Sequence, residues 1–387
     1  DLATLRDLVE EGYVTVGSIV GSLGFIKEAN LAASNLADLG FELLSLSTSV
    51  DLVDRVVPML PHVLSSDICS LRPDVDRAAV SLFVALDEGG GVRSHRFERT
   101  VIRSRRRLDY DQVQEVLAGG GRVDGRTDGD LRLLAKLART LRDRRTRRGS
   151  LDFDLPEARV ILGTDGAPLD VQKVIQLESH RLIEDFMLLA NETVAAEAAK
   201  KKLPVPYRVH EPPSTDRLDK LRRFLGTIGH PISKKGVTPK DLQRVINTVE
   251  GKPEAALVST VILRSMAKAR YQAKNLGHFG LGAPTYAHFT SPIRRYPDLM
   301  LHRVVIRALI DGDKVPQDWG GEPLAQAAER SSLREQLAAE AERDSIALKK
   351  AEFMEQHLGE EFPGTVSGVT AFGFFVLLDE YYVEGLV

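Results

Sequence analysis

Cysteine is nearly missing from these 387 residues: Cys69 stands alone. A single thiol excludes an intramolecular disulfide framework and suits a reducing cytoplasm, and Cys69 itself reads as a small buried core residue. No apolar run of about 18 residues occurs, so no membrane-spanning helix is expected. Nothing at the start reads as a secretory leader, because residues 1–11 mix charges with apolar side chains. Charge of one sign is lacking too: 52 basic residues face 55 acidic ones, a formal net charge of −3. Overall charge thus argues neither for nor against a polyanionic partner, and only clustering can. Position 1 holds Asp rather than Met, and the last residues fall inside a strand-rich stretch, so part of a longer protein is expected.

What is present is an ordinary globular composition, 43% hydrophobic and 28% charged, with material for a large core. Its length suggests about two to four domains. Basic residues cluster twice, as RSRRR at 103–107 and as RTLRDRRTRR at 139–148. Each run alone reads first as a solvated loop or helix face, and second as a grip on phosphates.

Residues 1–47 suggest three short helices, with Leu2, Leu5, Leu8 and Val9 at helical spacing and two further stretches around 16–23 and 30–39. A plain helical subdomain and a helix-turn-helix both fit. Pro58 and Pro61 then make an extended loop. Residues 78–102 alternate as two strands around the glycines at 89–91, a hairpin signature. Residues 109–147 read as helical with a glycine break at 119–121, residues 151–176 as short strands, and 177–202 as a helix stopped by Pro204. Helices dominate 215–275 and 297–358, and strand alternation returns over 361–387.

The most informative stretch is YAHFTSPIRRYPDLMLHRVV, residues 286–305. Pro292 and Pro297 stiffen the backbone, and Arg294 and Arg295 place two guanidiniums beside Tyr296. Asp298 falls in the first turn of the next helix, where a carboxylate suits the positive dipole end. Cations and an aromatic on a stiff loop are what a scissile phosphate needs. A capped loop with ordinary surface arginines has the same letters.

GHFGLGAPTYAHFTSPIRRYPDLMLHR closely resembles the signature of the ribonuclease II/R (RNB) family of exoribonucleases. The likeness continues in order through VPMLP, LDFDLPEARV, ESHRLIEDFMLLANETVA, LPVPYRVHEPPSTDRLDKLRRFL and AEAERDSIALKKAEFM. It implies an α+β fold. Residues 48–358 would form the catalytic domain, a mixed sheet surrounded by helices that lacks its first part. Residues 359–387 would open a C-terminal β-barrel of the OB type, and 1–47 would be the small helical N-terminal region.

The same resemblance implies processive 3′→5′ hydrolysis of single-stranded RNA to 5′-nucleoside monophosphates by two-Mg²⁺ chemistry, in a cytoplasmic monomer. Arg294 would hold the scissile phosphate, with Arg295 a second candidate on the same surface. Glu342 would lie near the last nucleotide, though it also reads as one more exposed helix charge. Glu184 and Asn191, seven apart on one helix face, would line the RNA channel. His278, Tyr286, His288, Ser291 and Tyr296 complete the RNA-binding candidates.

One hallmark is missing: the family's metal-binding aspartate cluster before VPMLP. Asp1, Asp7 and Asp38 are scattered, and Asp51 stands where the family has an aromatic. The cluster is expected in a stretch that this chain lacks between about Leu44 and Thr48. The alternative is a catalytically inactive RNA-binding protein of the same fold.

Overall fold

The computed structural model describes residues 13–15, 48–153, 157–233, 236–252 and 254–387. Of the expected N-terminal helices, only Tyr13–Thr15 is described, and it is a strand, β1; the remainder of 1–47 lies outside the described residues.

The short strands β2 (Val50–Asp51) and β3 (Val56–Val57) pair with each other. The long hairpin follows as β4 (Asp76–Leu86) and β5 (Val92–Arg103), with β1 on the far side of β4. β4 is buried almost continuously, which a central strand covered on both faces requires, whereas the exposure of β5 largely alternates. At the hairpin turn Asp87 accepts the N–H groups of Gly89 and Gly91, and Gly90 takes φ +76°.

Two helices come next. α1 (Tyr110–Ala118) starts with a capping box from Asp109, and α2 (Gly125–Arg148) starts at Asp124, which accepts the N–H groups of Arg126 and Thr127. Strands β6 (Glu157–Leu162) and β7 (Pro168–Val174) form a hairpin, and α3 (Glu178–Lys200) follows. α3 buries Leu182, Phe186, Leu189, Ala190 and Val194 against Val80, Leu82 and Val84 of β4 and Ala135 and Ala138 of α2. Phe186 is fully buried, worth about 1.5–3 kcal/mol relative to exposure.

α2 and α3 also share a seam of ion pairs. Arg142 and Arg145 both donate to Asp185, which is 1% exposed. Arg139 and Arg142 pair with Glu178, and Arg148 pairs with Glu192.

A second core is made by α4 (Thr215–Thr227), α5 (Pro239–Val249) and α6 (Ala255–Ser265), through Leu221, Leu225, Leu242, Val258 and Ile262. β8 (Tyr207–Val209), whose Tyr207 and Val209 belong to the first core, pairs with β9 (Arg270–Gln272). α7 (Tyr296–Val305) packs into the first core, and the long α8 (Gly321–Glu355) spans past β9 to the β6–β7 hairpin, where Phe353 meets Val160 and Val171. The chain ends as β10 (Gly364–Thr370), β11 (Gly373–Leu378) and β12 (Glu384–Leu386).

Helices and strands mix as the α+β expectation holds, but one detail differs. The strands form several small sheets, and every ladder between described strands is antiparallel, because most partners are hairpin neighbours joined by short turns. No single mixed sheet appears among the described residues. β10–β12 make an open three-stranded meander, over residues expected to hold only the opening of a barrel. Cys69 is buried, and no described helix is long and apolar enough to cross a membrane.

Candidate active site

The loop from Tyr286 to Arg295 is held from four directions. From below, Asn191 of α3 uses both ends of its amide: Nδ2 donates to the Tyr286 hydroxyl at 2.9 Å, and Oδ1 accepts the Phe289 N–H at 2.8 Å. From within α7, Asp298 accepts the Ser291 N–H at 2.8 Å and the Arg295 guanidinium at 2.7 Å. One turn later His302 lies flat on Phe289, 3.9 Å between ring centres, with Nε2 2.6 Å from the Phe289 carbonyl. From outside, the Ser49 N–H donates to the Arg294 carbonyl at 2.9 Å, and Thr48 bridges Arg295. Inside the loop, the Ser291 carbonyl accepts from the N–H groups of Arg294 and Arg295.

The two arginines meet different fates. Arg295 is spent on Asp298, a carboxylate with no exposure. Burial works against the charge of Arg295, but Asp298 outweighs it and raises the guanidinium's pKa. Burial raises the Asp298 pKa against the pull of Arg295. Arg294 is exposed, and its guanidinium has no partner among the described residues. A fixed backbone therefore carries one uncommitted cation into solvent.

Around the loop the histidines are kept neutral. His288 meets the Tyr271 hydroxyl through Nδ1 at 2.8 Å; burial, and then nearby Arg295 and Arg208, hold its pKa well below the ordinary value. His278 accepts the Leu281 N–H on Nδ1, and burial followed by His210 and Arg208 lowers its pKa to about 3. His302 is lowered to about 3 by burial. Tyr286 packs edge-on against both His278 and His288, and burial pushes its hydroxyl up to about 12 against the Asn191 hydrogen bond. Sequence patterning gave no sign of Tyr271, the middle residue of β9, or of His210, which follows the end of β8 far away in the chain. His210 accepts the Gly280 N–H at 3.0 Å, and a Cβ at Gly280 would stand 2.9 Å from that nitrogen, so the glycine in HFGLG was the available signal.

The other predicted residues are more scattered. Ser291 and Tyr296 are half-buried, at the start of the loop's last turn and at the first position of α7. Glu342 is exposed on α8, three residues before Ser345, whose hydroxyl accepts the Val53 N–H at 3.2 Å. The stretch 48–53 thus runs from the Arg294 backbone to the Glu342 helix. Glu184 is exposed on α3 and accepts from Gln176 at 2.9 Å. Asn191 does not share that surface: it is 2% exposed and fully used as the loop's clamp, a correction to its reading as a channel contact.

A profile of the RNB domain matches residues 33–311. The chain belongs to the RNB-domain family. It is 42% identical over 349 residues to ribonuclease R 1 of Lactococcus lactis, covering 88% of this chain and 42% of that protein. It is 39% identical over 395 residues to ribonuclease R of Thermotoga maritima, covering 100% of this chain and 54% of that protein. Among solved structures, ribonuclease R of Mycoplasma genitalium in complex with ribose-methylated single-stranded RNA superposes with a TM-score of 0.85 at 30% identity, covering 89% of this chain and 55% of the other. The chain thus spans about half the length of the RNB relatives it matches.

Ribonuclease R family nucleases are metal-dependent. Among the described residues no group of three or more His, Cys, Asp or Glu side chains is placed to hold a metal. Asp298, the carboxylate packed into the loop, is committed to Arg295 and Ser291. The described residues therefore do not fit a metal. The expected gap between about Leu44 and Thr48 borders residues 1–47, which apart from Tyr13–Thr15 lie outside the described residues.

Proposed function

We propose that this chain is the catalytic part of a processive 3′→5′ exoribonuclease that shortens single-stranded RNA and releases 5′-nucleoside monophosphates. The carrying observation is Arg294: an exposed guanidinium, unpaired among the described residues, on a backbone pinned by Ser49, Ser291 and, through the adjoining residues, Asp298 and Asn191. A cation fixed before the substrate arrives needs no reorganisation as charge develops on the phosphate. The neutral histidines beneath it keep the loop rigid without adding like charge. Glu342, Glu184, Tyr296 and Ser291 are read as contacts to the RNA. Mg²⁺ dependence, a cytoplasmic location and a monomeric state belong to the same reading, and Mg²⁺ rests on family membership rather than on described ligands.

Arg294→Ala should slow cleavage of a labelled oligonucleotide by about 10²–10³-fold while most RNA affinity survives. Near-normal cleavage in a gel assay would remove Arg294 from this role. The alternative, an inactive RNA-binding protein of the same fold, is not favoured by the likeness to ribonuclease R proteins. Incubating the chain with RNA and Mg²⁺, with EDTA as control, separates the two, since binding without any EDTA-sensitive shortening would establish the second.

A further inference from the structure

A cleft of about 250 Å³ opens between the end of β5, helix α1 and the loop that follows it, lined by Arg106, Arg107, Arg122, Gln112, Glu115 and Val116. The turn that closes it depends on glycine. Gly119 ends α1 at φ +84°, and the N–H groups of Gly120 and Gly121 both donate to the Glu115 carbonyl. A Cβ at Gly121 would lie 2.6 Å from the Glu115 Cβ, so a glycine there lets the chain fold back and bring Arg122 to the cleft of Arg106 and Arg107.

The positive charge of this cleft is poorly neutralised. Arg106 approaches Asp124 only to 3.7 Å, and Arg122 approaches Asp128 only to 3.8 Å; their side chains are 51% and 82% exposed. Both carboxylates are engaged elsewhere. Asp124 caps α2 and accepts the Thr127 hydroxyl, and Asp128 accepts the Val123 N–H. Arg107 has no partner among the described residues, nor does Arg105 next to the cleft. Glu115 is the one carboxylate among the lining residues described, against three guanidiniums. Leu108, Val116 and Val123 supply apolar wall between them.

We propose that this cleft is a second RNA-binding site, which holds phosphodiesters of the single strand away from the Arg294 loop. The proposal rests on the RNA reading above. Spaced guanidinium forks match spaced phosphates, and the apolar wall suits the ribose and base faces between them. An acidic protein segment is the competing class; it would use the charges but has no need of a narrow, partly apolar cleft.

The test is the salt dependence of binding, with the 387-residue chain and a fluorescent 20-nucleotide oligoadenylate in the absence of divalent ions. The triple variant Arg106→Ala/Arg107→Ala/Arg122→Ala should flatten the slope of log affinity against log salt by about 2, since each phosphate contact on a single strand contributes about 0.7. With the two lines meeting near 1 M, affinity at 0.1 M should drop about 100-fold. The triple Lys variant should recover most of the slope, because point charges still release counterions, and its recovery separates a charge role from misfolding. Arg147→Ala, an exposed cation of the other basic run, should leave the slope unchanged. A wild-type slope in the triple Ala variant overturns the cleft and leaves the RNA reading standing. Absence of RNA binding by the unaltered chain at low salt overturns both. Binding of polyglutamate lost in the triple Ala variant, with RNA binding unaffected, assigns the cleft to acidic protein instead.

Discussion

The two arginine-rich stretches, residues 103–107 and 139–148, read alike as text and are put to opposite uses. In α2 the arginines at 139, 142, 145 and 148 recur every three residues and meet Glu178, Asp185 and Glu192, which recur every seven on α3. Arg144 is also spent, on the Gly90 carbonyl at the β4–β5 turn. The seam is therefore structural, and its charges are matched before any ligand arrives. In the 103–107 run Arg103 pairs with Asp76, but Arg105 and Arg107 are unpaired among the described residues and Arg106 is only loosely met. A run of arginine says little until the carboxylates that share its surface are known.

The strongest way to break this contrast is to remove the seam's centre. Asp185→Ala would strip Arg145 of this carboxylate and leave Arg142 with Glu178, their side chains 13% and 19% exposed. Losing one partner from such a buried group costs about 3–5 kcal/mol. Urea unfolding should show that loss, while the RNA salt slope of whatever remains folded stays unchanged. A loss below about 1 kcal/mol would mean that the seam is as solvated as the cleft.

Acid should weaken the seam. Burial alone would raise the Glu178 carboxyl, but the hydrogen bond and charge of Arg142, helped by Arg139, hold its pKa below the ordinary value. A depressed folded pKa adds stability that is complete above the unfolded value of about 4.3 and disappears as pH falls through the folded one. Glu178→Gln should then be less stable than the parent at pH 7, by about 1 kcal/mol or less because the carboxylate is 24% exposed, and the gap should close below about pH 4. A gap that persists at pH 3 would assign the difference to packing. Arg105 and Arg107 have no carboxylate partner among the described residues, so no such acid-linked loss is expected from them.

Much of this molecule could be read from local text, and the rest could not for identifiable reasons. The β4–β5 hairpin was legible because an apolar run, an alternating run and the glycine turn between them agree, and α3 because its apolar residues keep helical spacing. The Arg294 loop was legible because proline, arginine and aspartate fall within seven residues. Asn191 was misread because nothing on its own helix reveals that Tyr286 and Phe289, nearly a hundred residues on, would use both ends of its amide. The seam was misread although its signal was present, in the matching spacing of acids on α3 and arginines on α2.

The smallest expected effect is also the sharpest separation of the two stretches. Arg106→Ala removes a half-exposed side chain whose nearest carboxylate lies at 3.7 Å and is already a helix cap. Such a change should alter stability by no more than about 0.5 kcal/mol. Natural folds tolerate unmatched positive charge at a surface, but three guanidiniums converging on one cleft repel each other and add nothing to the core, so their gain has to come from a bound anion. The urea midpoint should therefore stay put while the RNA slope falls by about 0.7, the share of one phosphate. A midpoint shift worth more than about 1 kcal/mol with an unchanged slope would place Arg106 with the α2 arginines, as a fold-stabilising charge.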